Sequence, residues 1–207
     1  MLRIFTPSDH VITAWKSGQG TTAEIARQPQ GPAGDFDFDW RISIAGVTAN
    51  GAFSAFPGIE RTIIAISGAG LVLTVGDAAP HRLLPLEPYG FDGGSAACGE
   101  LINGPVRDFN VMVRRGVWAS QTEVWRGGHI KVAPAQRQVV LAYAVTGNWR
   151  VVDGADSCTL AAGDSLMARS GDICELRSMA AGDVLALVML TEQDVTMVAT
   201  GLASSPL

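Results

Sequence analysis

Lysine, histidine and cysteine are all scarce in this chain. Among 207 residues there are two lysines, Lys16 and Lys131, so 13 of the 15 cations are arginines. The three histidines, His10, His81 and His129, are far apart, and none forms an H-x-H or H-x-x-x-H pair. That spacing predicts no metal site and no cofactor held by one. Cys98, Cys158 and Cys174 are odd in number and lack C-x-x-C spacing, which argues against a disulfide framework or structural zinc. Only 17% of residues are charged and the net charge is −5, so no basic footprint for nucleic acid or an anionic membrane exists. The longest apolar runs, 139–145 and 184–190, fall far short of the roughly 20 residues that a spanning helix needs. The opening segment has no apolar leader core or cleavage signal, which predicts a cytoplasmic protein.

Catalytic and nucleotide signatures are equally thin. Gly18-Gln19-Gly20-Thr21-Thr22-Ala23 fits a loose dinucleotide string, but Pro29 leaves no room for the helix such a site requires. There is no G-x-S-x-G elbow, and Cys98 has no histidine in the neighbouring sequence. No catalytic residue is assigned.

What the chain does have is period-2 alternation and 24 glycines for turns. Trp40, Ile42 and Ile44 share one face of a strand, with Arg41, Ser43 and Ala45 on the other. Further strands are expected over 21–27, 62–66, 71–75, 109–113, 139–145, 149–152 and 184–190. Asn50-Gly51 signals a type I′ turn, and Gly163-Asp164, Gly171-Asp172 and Gly182-Asp183 mark turns between short antiparallel strands. Apolar strand, glycine turn and strand recur in both halves, followed by a Pro-rich stretch and Gly90 to Gly94 in the first and by a Gly-Asp turn in the second. That is how a cupin-type double-stranded β-helix reads, and two such units predict an all-β, bicupin-like two-lobed barrel. The lobes are placed at 1–120 and 121–207, with residues 121–137 as the junction.

The polar residues that stand out lie among these strands. Arginine presents a rigid fork that matches a carboxylate with two hydrogen bonds, as lysine cannot. Arg41 alternates with Ser43, Asn110 and Met112 oppose Phe109, Val111 and Val113, and Arg61 opens the strand after Glu60. Pointing inward, these faces make a pocket for a small carboxylate. Pointing outward, they are solvated sheet faces or arginines paired with Glu60 and Asp108. Alternation alone leaves both readings open.

Four ordered blocks carry a further signal. Trp15-Lys16-Ser17-Gly18-Gln19-Gly20-Thr21-Thr22-Ala23-Glu24-Ile25 opens the series and Asp39-Trp40-Arg41-Ile42-Ser43-Ile44-Ala45 follows. Gly51-Ala52-Phe53-Ser54 with Phe56-Pro57-Gly58-Ile59-Glu60-Arg61 is the third, and the stretch from Gly104-Pro105-Val106-Arg107-Asp108 to Gly116 is the fourth. Together they resemble the HutD/Ves family over about residues 15–116. Ser17, Gln19 and Glu60 depart from its more usual Asn, Gly and Asp. The resemblance implies a cupin-type fold and, for HutD members, a place beside bacterial histidine utilisation; Ves members are associated with stress. It implies a binding or regulatory role for a carboxylate intermediate such as urocanate or N-formylglutamate, which the histidine spacing makes metal-independent. It also favours the inward reading, with Lys16, Thr22, Arg41, Ser43, Arg61 and Asn110 as ligand-binding residues. Arg41 or Arg61 would pair with the ligand carboxylate, while Asp108 or Glu60 holds an arginine in the empty site. Two other classes stay open. One is a metal-free enzyme using Glu24, Asp39 or His81 for proton transfer; the other is a protein-interaction module. A homodimer is compatible with any of them.

Overall fold

The computed structural model describes residues 1–15, 20–31 and 37–194. The first half contains β1 (Arg3–Phe5), β2 (Val11–Ala14), β3 (Gly20–Gln28), β4 (Trp40–Val47), β5 (Gly51–Phe53), β6 (Ile59–Ser67), β7 (Leu71–Val75), β8 (His81–Leu83), β9 (Pro88–Asp92), β10 (Ala97–Leu101) and β11 (Val106–Arg114). The second contains β12 (Trp118–Arg126), β13 (His129–Val132), β14 (Gln138–Thr146), β15 (Asn148–Asp153), β16 (Asp156–Ala161), β17 (Ser165–Arg169), β18 (Cys174–Ser178) and β19 (Val184–Glu192). A single 3-10 turn, Pro7–Asp9, is the one helical element among the described residues. No helix there is long and apolar enough to cross a membrane.

Among the described residues the strands form four antiparallel sheets. A six-stranded sheet runs β2-β3-β4-β11-β6-β9 and a four-stranded one β5-β10-β7-β8. The second half repeats the scheme with β1-β17-β14-β19-β12 and β13-β18-β15-β16. In each half the chain passes from the larger sheet to the smaller at a glycine turn, between β6 and β7 and between β14 and β15. At the second of these Gly147 has φ +72, and a Cβ there would lie 1.8 Å from Asp183 Oδ1. Asp183 Oδ2 in turn accepts the backbone N–H groups of Met179 and Ala180 at 2.8 and 2.7 Å. Gly147→Ala therefore strains the backbone and displaces an anchoring carboxylate. We expect it to lose at least about 2 kcal/mol in urea denaturation.

Among the described residues three apolar layers separate the sheets, beside a small cluster of Phe38, Phe56, Ile59 and Met112. One packs Trp40, Ile42, Ile44, Phe109, Val111 and Val113 against Leu141, Tyr143, Val188 and Leu190, joining the two larger sheets. A second fills the second half with Val140, Ala142, Ala144, Trp149, Leu160, Leu176 and Leu185. The third, with Ile63, Ala65, Leu71, Leu73 and Leu83, lies under the four-stranded sheet of the first half. β14 and β19 are covered on both faces, which is why their sequences are unbroken apolar runs.

One expectation is corrected. Neither Asn50 nor Gly51 has positive φ, so this is not a type I′ turn. Asn50 instead turns its side chain across the sheet, where Oδ1 accepts the Leu101 N–H at 2.8 Å. Residues 121–137, taken as the junction of the two lobes, hold most of β12 and all of β13, turned at Gly127 and Gly128 with φ +63 and +104. The 120/121 boundary falls within β12, and β1 pairs with β17 of the later sheet. The Gly-Asp turns are present as expected. Asp164 and Asp172 each accept the N–H three residues earlier, from Ala161 and Arg169, at 2.9 Å.

Candidate ligand-binding cavity

The strands β4 and β11 are covered on both sides, as β14 and β19 are, yet one face of each is polar. Arg41, Ser43, Arg61, Asp108 and Asn110 are all at least nine-tenths buried. Buried polar groups are the exception that calls for an account. Strand register explains how they meet. Thr22, Ala45 and Asp108 stand in one row across β3, β4 and β11; Glu24, Ser43 and Asn110 form the next. Arg41, Met112 and Arg61 form the third across β4, β11 and β6. A bulge between Glu24 and Ala26 sends Ile25 and Ala26 into the core and leaves Glu24 on the polar face.

These rows floor a cavity of about 80 Å³, roofed by Ala52, Phe53, Ser54 and Phe56 and bordered by Trp15. One water needs roughly 10–15 Å³ of such space, so the cavity takes a few small groups. Trp15, Thr22, Ala52 and Ser54 are half-buried or exposed and mark its mouth. Trp15 Nε1 donates to Thr22 Oγ1 at 2.8 Å, fixing the indole there.

Each arginine is restrained from behind. Arg41 Nε donates to Glu24 Oε2 at 2.7 Å. Arg61 Nε and Nη2 both donate to Asn110 Oδ1, at 2.9 and 2.6 Å, and Asn110 Nδ2 donates to Asp108 Oδ1. The Asn110 amide thus links a cation to a carboxylate. The Arg61 guanidinium also lies 5.1 and 5.3 Å from the ring centres of Phe53 and Phe91, a cation–π contact on each. Among the described residues nothing else bonds the remaining guanidinium N–H groups of Arg41 and Arg61, which are left for a guest. Burial lowers Arg61 to about 10, with Asp108 opposing and Arg41 adding to the shift. Burial likewise pushes Asp108 up to about 6, against the pull of Arg61 and the Asn110 hydrogen bond.

Holding such groups out of water opposes folding. Arg61→Met alone strands Asp108 and should cost about 3–5 kcal/mol, whereas Arg61→Met with Asp108→Ala should leave stability level or raise it. Thermal denaturation of the two variants distinguishes these outcomes.

Of the six expected ligand residues, Thr22, Arg41, Ser43, Arg61 and Asn110 line this one cavity; Lys16 lies outside the described residues. Glu60 does not hold an arginine of the cavity, because it points to the other face and meets Arg115 at 3.5 Å. Trp15, Phe53, Ser54 and Phe56 carry no signal of the cavity in the sequence; they come from loops and an edge strand that only the folded chain brings here. Glu24 is engaged by Arg41. Asp39 pairs with Arg114 at 3.2 Å, and His81 stacks on Tyr89 at 4.0 Å, both away from the cavity.

Cupin folds commonly hold a metal on histidines and a carboxylate. This lining does not fit one: its strongest polar groups are guanidinium ions, which donate and cannot ligate. Among the described residues no group of three or more His, Cys, Asp and Glu is placed to hold a metal ion.

Paired larger and smaller antiparallel sheets with a polar cavity between them define a cupin-like protein. The cupin 2 conserved barrel domain protein from Leptotrichia buccalis superposes with a TM-score of 0.57 at 9% identity, covering 92% of this chain and 96% of that one. A conserved protein of unknown function from Pseudomonas aeruginosa PAO1 is more similar, with a TM-score of 0.82 and 28% identity over 92% of this chain and 99% of that chain. HutD from Pseudomonas fluorescens SBW25, solved in a formate condition, gives 0.78 and 31% identity over 93% and 100%. The HutD family model matches residues 7–186, and the chain belongs to the HutD family.

Proposed function

We propose that this protein binds a small carboxylate in the cavity of its first half and serves histidine utilisation as a sensing or regulatory accessory. The observation that carries the reading is the pair of buried arginines, each restrained on one side and open to the same cavity on the other. A guanidinium edge freed of protein partners is built for a carboxylate. Ser43, whose hydroxyl has no bond to the described residues, and Thr22 would add neutral hydrogen bonds. The ligand's carboxylate end would sit on the floor, with any larger remainder reaching through the mouth past Trp15.

The same reading takes residues 1–120 and 121–207 as two cupin-like lobes, of which the first binds and the second is a filled core. The contrast between Arg41, Ser43 and Asn110 on one inner face and Val140, Ala142 and Ala144 on its counterpart supports it. Binding would need no metal, because the arginines supply the positive charge, and it would occur in the cytoplasm.

A thermal-shift screen tests this with urocanate, N-formylglutamate, formate, glutamate and histidine. A ligand at 100 times its Kd adds about 2.7 kcal/mol of stability. That corresponds to a rise of roughly 5–11 °C for a protein of this size. A response to at least one carboxylate, with none to its amide, is expected; a flat panel overturns the assignment.

A further inference from the structure

We propose that the cavity takes up its ligand as a monocarboxylate together with one proton, which Asp108 holds. The inference rests on the carboxylate reading above and adds the charge stoichiometry of binding.

Among the described residues three charged groups line the cavity, Arg41 from β4, Arg61 from β6 and Asp108 from β11, and a fourth, Glu24 from β3, bonds Arg41 from behind. The roof brings only uncharged side chains. With both acids ionised the two cations are already matched, so the site is balanced before a ligand arrives. A carboxylate entering it leaves one negative charge uncompensated in a buried setting, which is strongly unfavourable. One of the acids must then be neutralised.

Glu24 is poorly placed for that, because its carboxylate accepts directly from Arg41 Nε at 2.7 Å, and such a bond favours the ionised form. Asp108 is different. Arg61 directs Nε and Nη2 to Asn110, so among the described residues no guanidinium bonds Asp108 directly. Asn110 Nδ2 reaches Oδ1 only, and Oδ2 has no partner among the described residues while its residue lines the cavity. A proton on Oδ2 turns that oxygen from a repelling neighbour into a donor toward the bound carboxylate. Burial has already brought Asp108 to about 6, and an adjacent anion pushes it further up. By linkage, affinity is then level below about pH 6 and falls up to tenfold per pH unit above it.

The test is calorimetric titration of the intact protein with formate, whose single carboxyl titrates well below this range. At neutral pH, runs in MOPS and in Tris, which differ in ionisation enthalpy, should give uptake of between about half and one proton per formate bound. Across about pH 6.5 to 8 the Kd should weaken some five- to tenfold per unit. In Asp108→Asn the pH dependence and the proton uptake should both vanish while formate still binds. Formate binding with no proton uptake and a flat Kd in the natural chain overturns this inference and leaves the carboxylate site standing. Absence of formate binding at every pH overturns both. The buffer comparison on the natural chain decides the matter even if the variant does not fold.

Discussion

Arg41→Ala is expected to remove carboxylate binding while leaving a folded protein. Truncating one partner of a buried, hydrogen-bonded charge pair costs about 2–5 kcal/mol of binding, a loss of about 30-fold to several thousand-fold in Kd. Arg41 suits the experiment better than Arg61 because its restraint is local. Among the described residues its one side-chain hydrogen bond is to Glu24, which is 12% exposed and can be rehydrated from the mouth. Arg61, by contrast, is tied through Asn110 to Asp108, which is 1% exposed and would be stranded. Arg41→Lys sharpens the reading. Lysine keeps the charge but offers no second edge once its ammonium pairs with Glu24. If Arg41 acts through its fork, the lysine variant remains impaired by at least about tenfold. If charge alone matters, lysine restores binding. Calorimetry on the variants, with far-ultraviolet circular dichroism as the folding check, separates these cases. Unchanged affinity in Arg41→Ala would show that the cavity is not the binding site.

How much of this was readable beforehand follows from which interactions are local. The alternation in residues 40–45 and 109–113 placed Arg41 with Ser43 and Asn110 with Met112 on shared faces, because strand geometry assigns side chains by parity. Whether those faces look inward is not a local property. It depends on the four-stranded sheet β5-β10-β7-β8 covering them, and that cover comes from residues 51–101 folding back. Glu24 was visible only as a generic acid, since the bulge at Ile25 breaks the period that would have put it beside Arg41. Nearness in sequence suggests Glu60 as an arginine partner, yet it lies one residue from Arg61 and therefore on the opposite face. A buried arginine needs an anion, which points to Asp108, but spacing does not reveal the intervening Asn110 amide. The unbroken runs at 139–145 and 184–190 were legible as strands and turn out to be covered on both sides. Asn50-Gly51 misled because the Asn50 side chain bonds Leu101, a partner 51 residues away.

The division between a binding half and a packed half makes a second large effect separable from the first. Trp149, on β15, is fully buried in the layer of Val140, Ala142, Leu160, Leu176 and Leu185. Trp149→Ala removes the largest side chain of that layer and should cost about 3–5 kcal/mol. Against a total stability of about 5–15 kcal/mol this is a major loss, and the melting temperature should fall by roughly 6–20 °C. Trp149→Phe should do far less damage, because it keeps most of the volume and deletes an indole N–H that finds no acceptor among the described residues. Neither change touches the layer that carries Arg41, Arg61 and Asp108, and distant sites combine additively. Below its lowered transition, Trp149→Ala should therefore bind formate with unaltered Kd, while Arg41→Ala keeps its melting temperature far better and loses the ligand. A Trp149→Ala protein that is folded yet has lost affinity would mean that the second half holds the cavity in shape through the shared layer of Trp40, Phe109 and Tyr143. In that case the filled half is a positioning element of the site rather than an inert support.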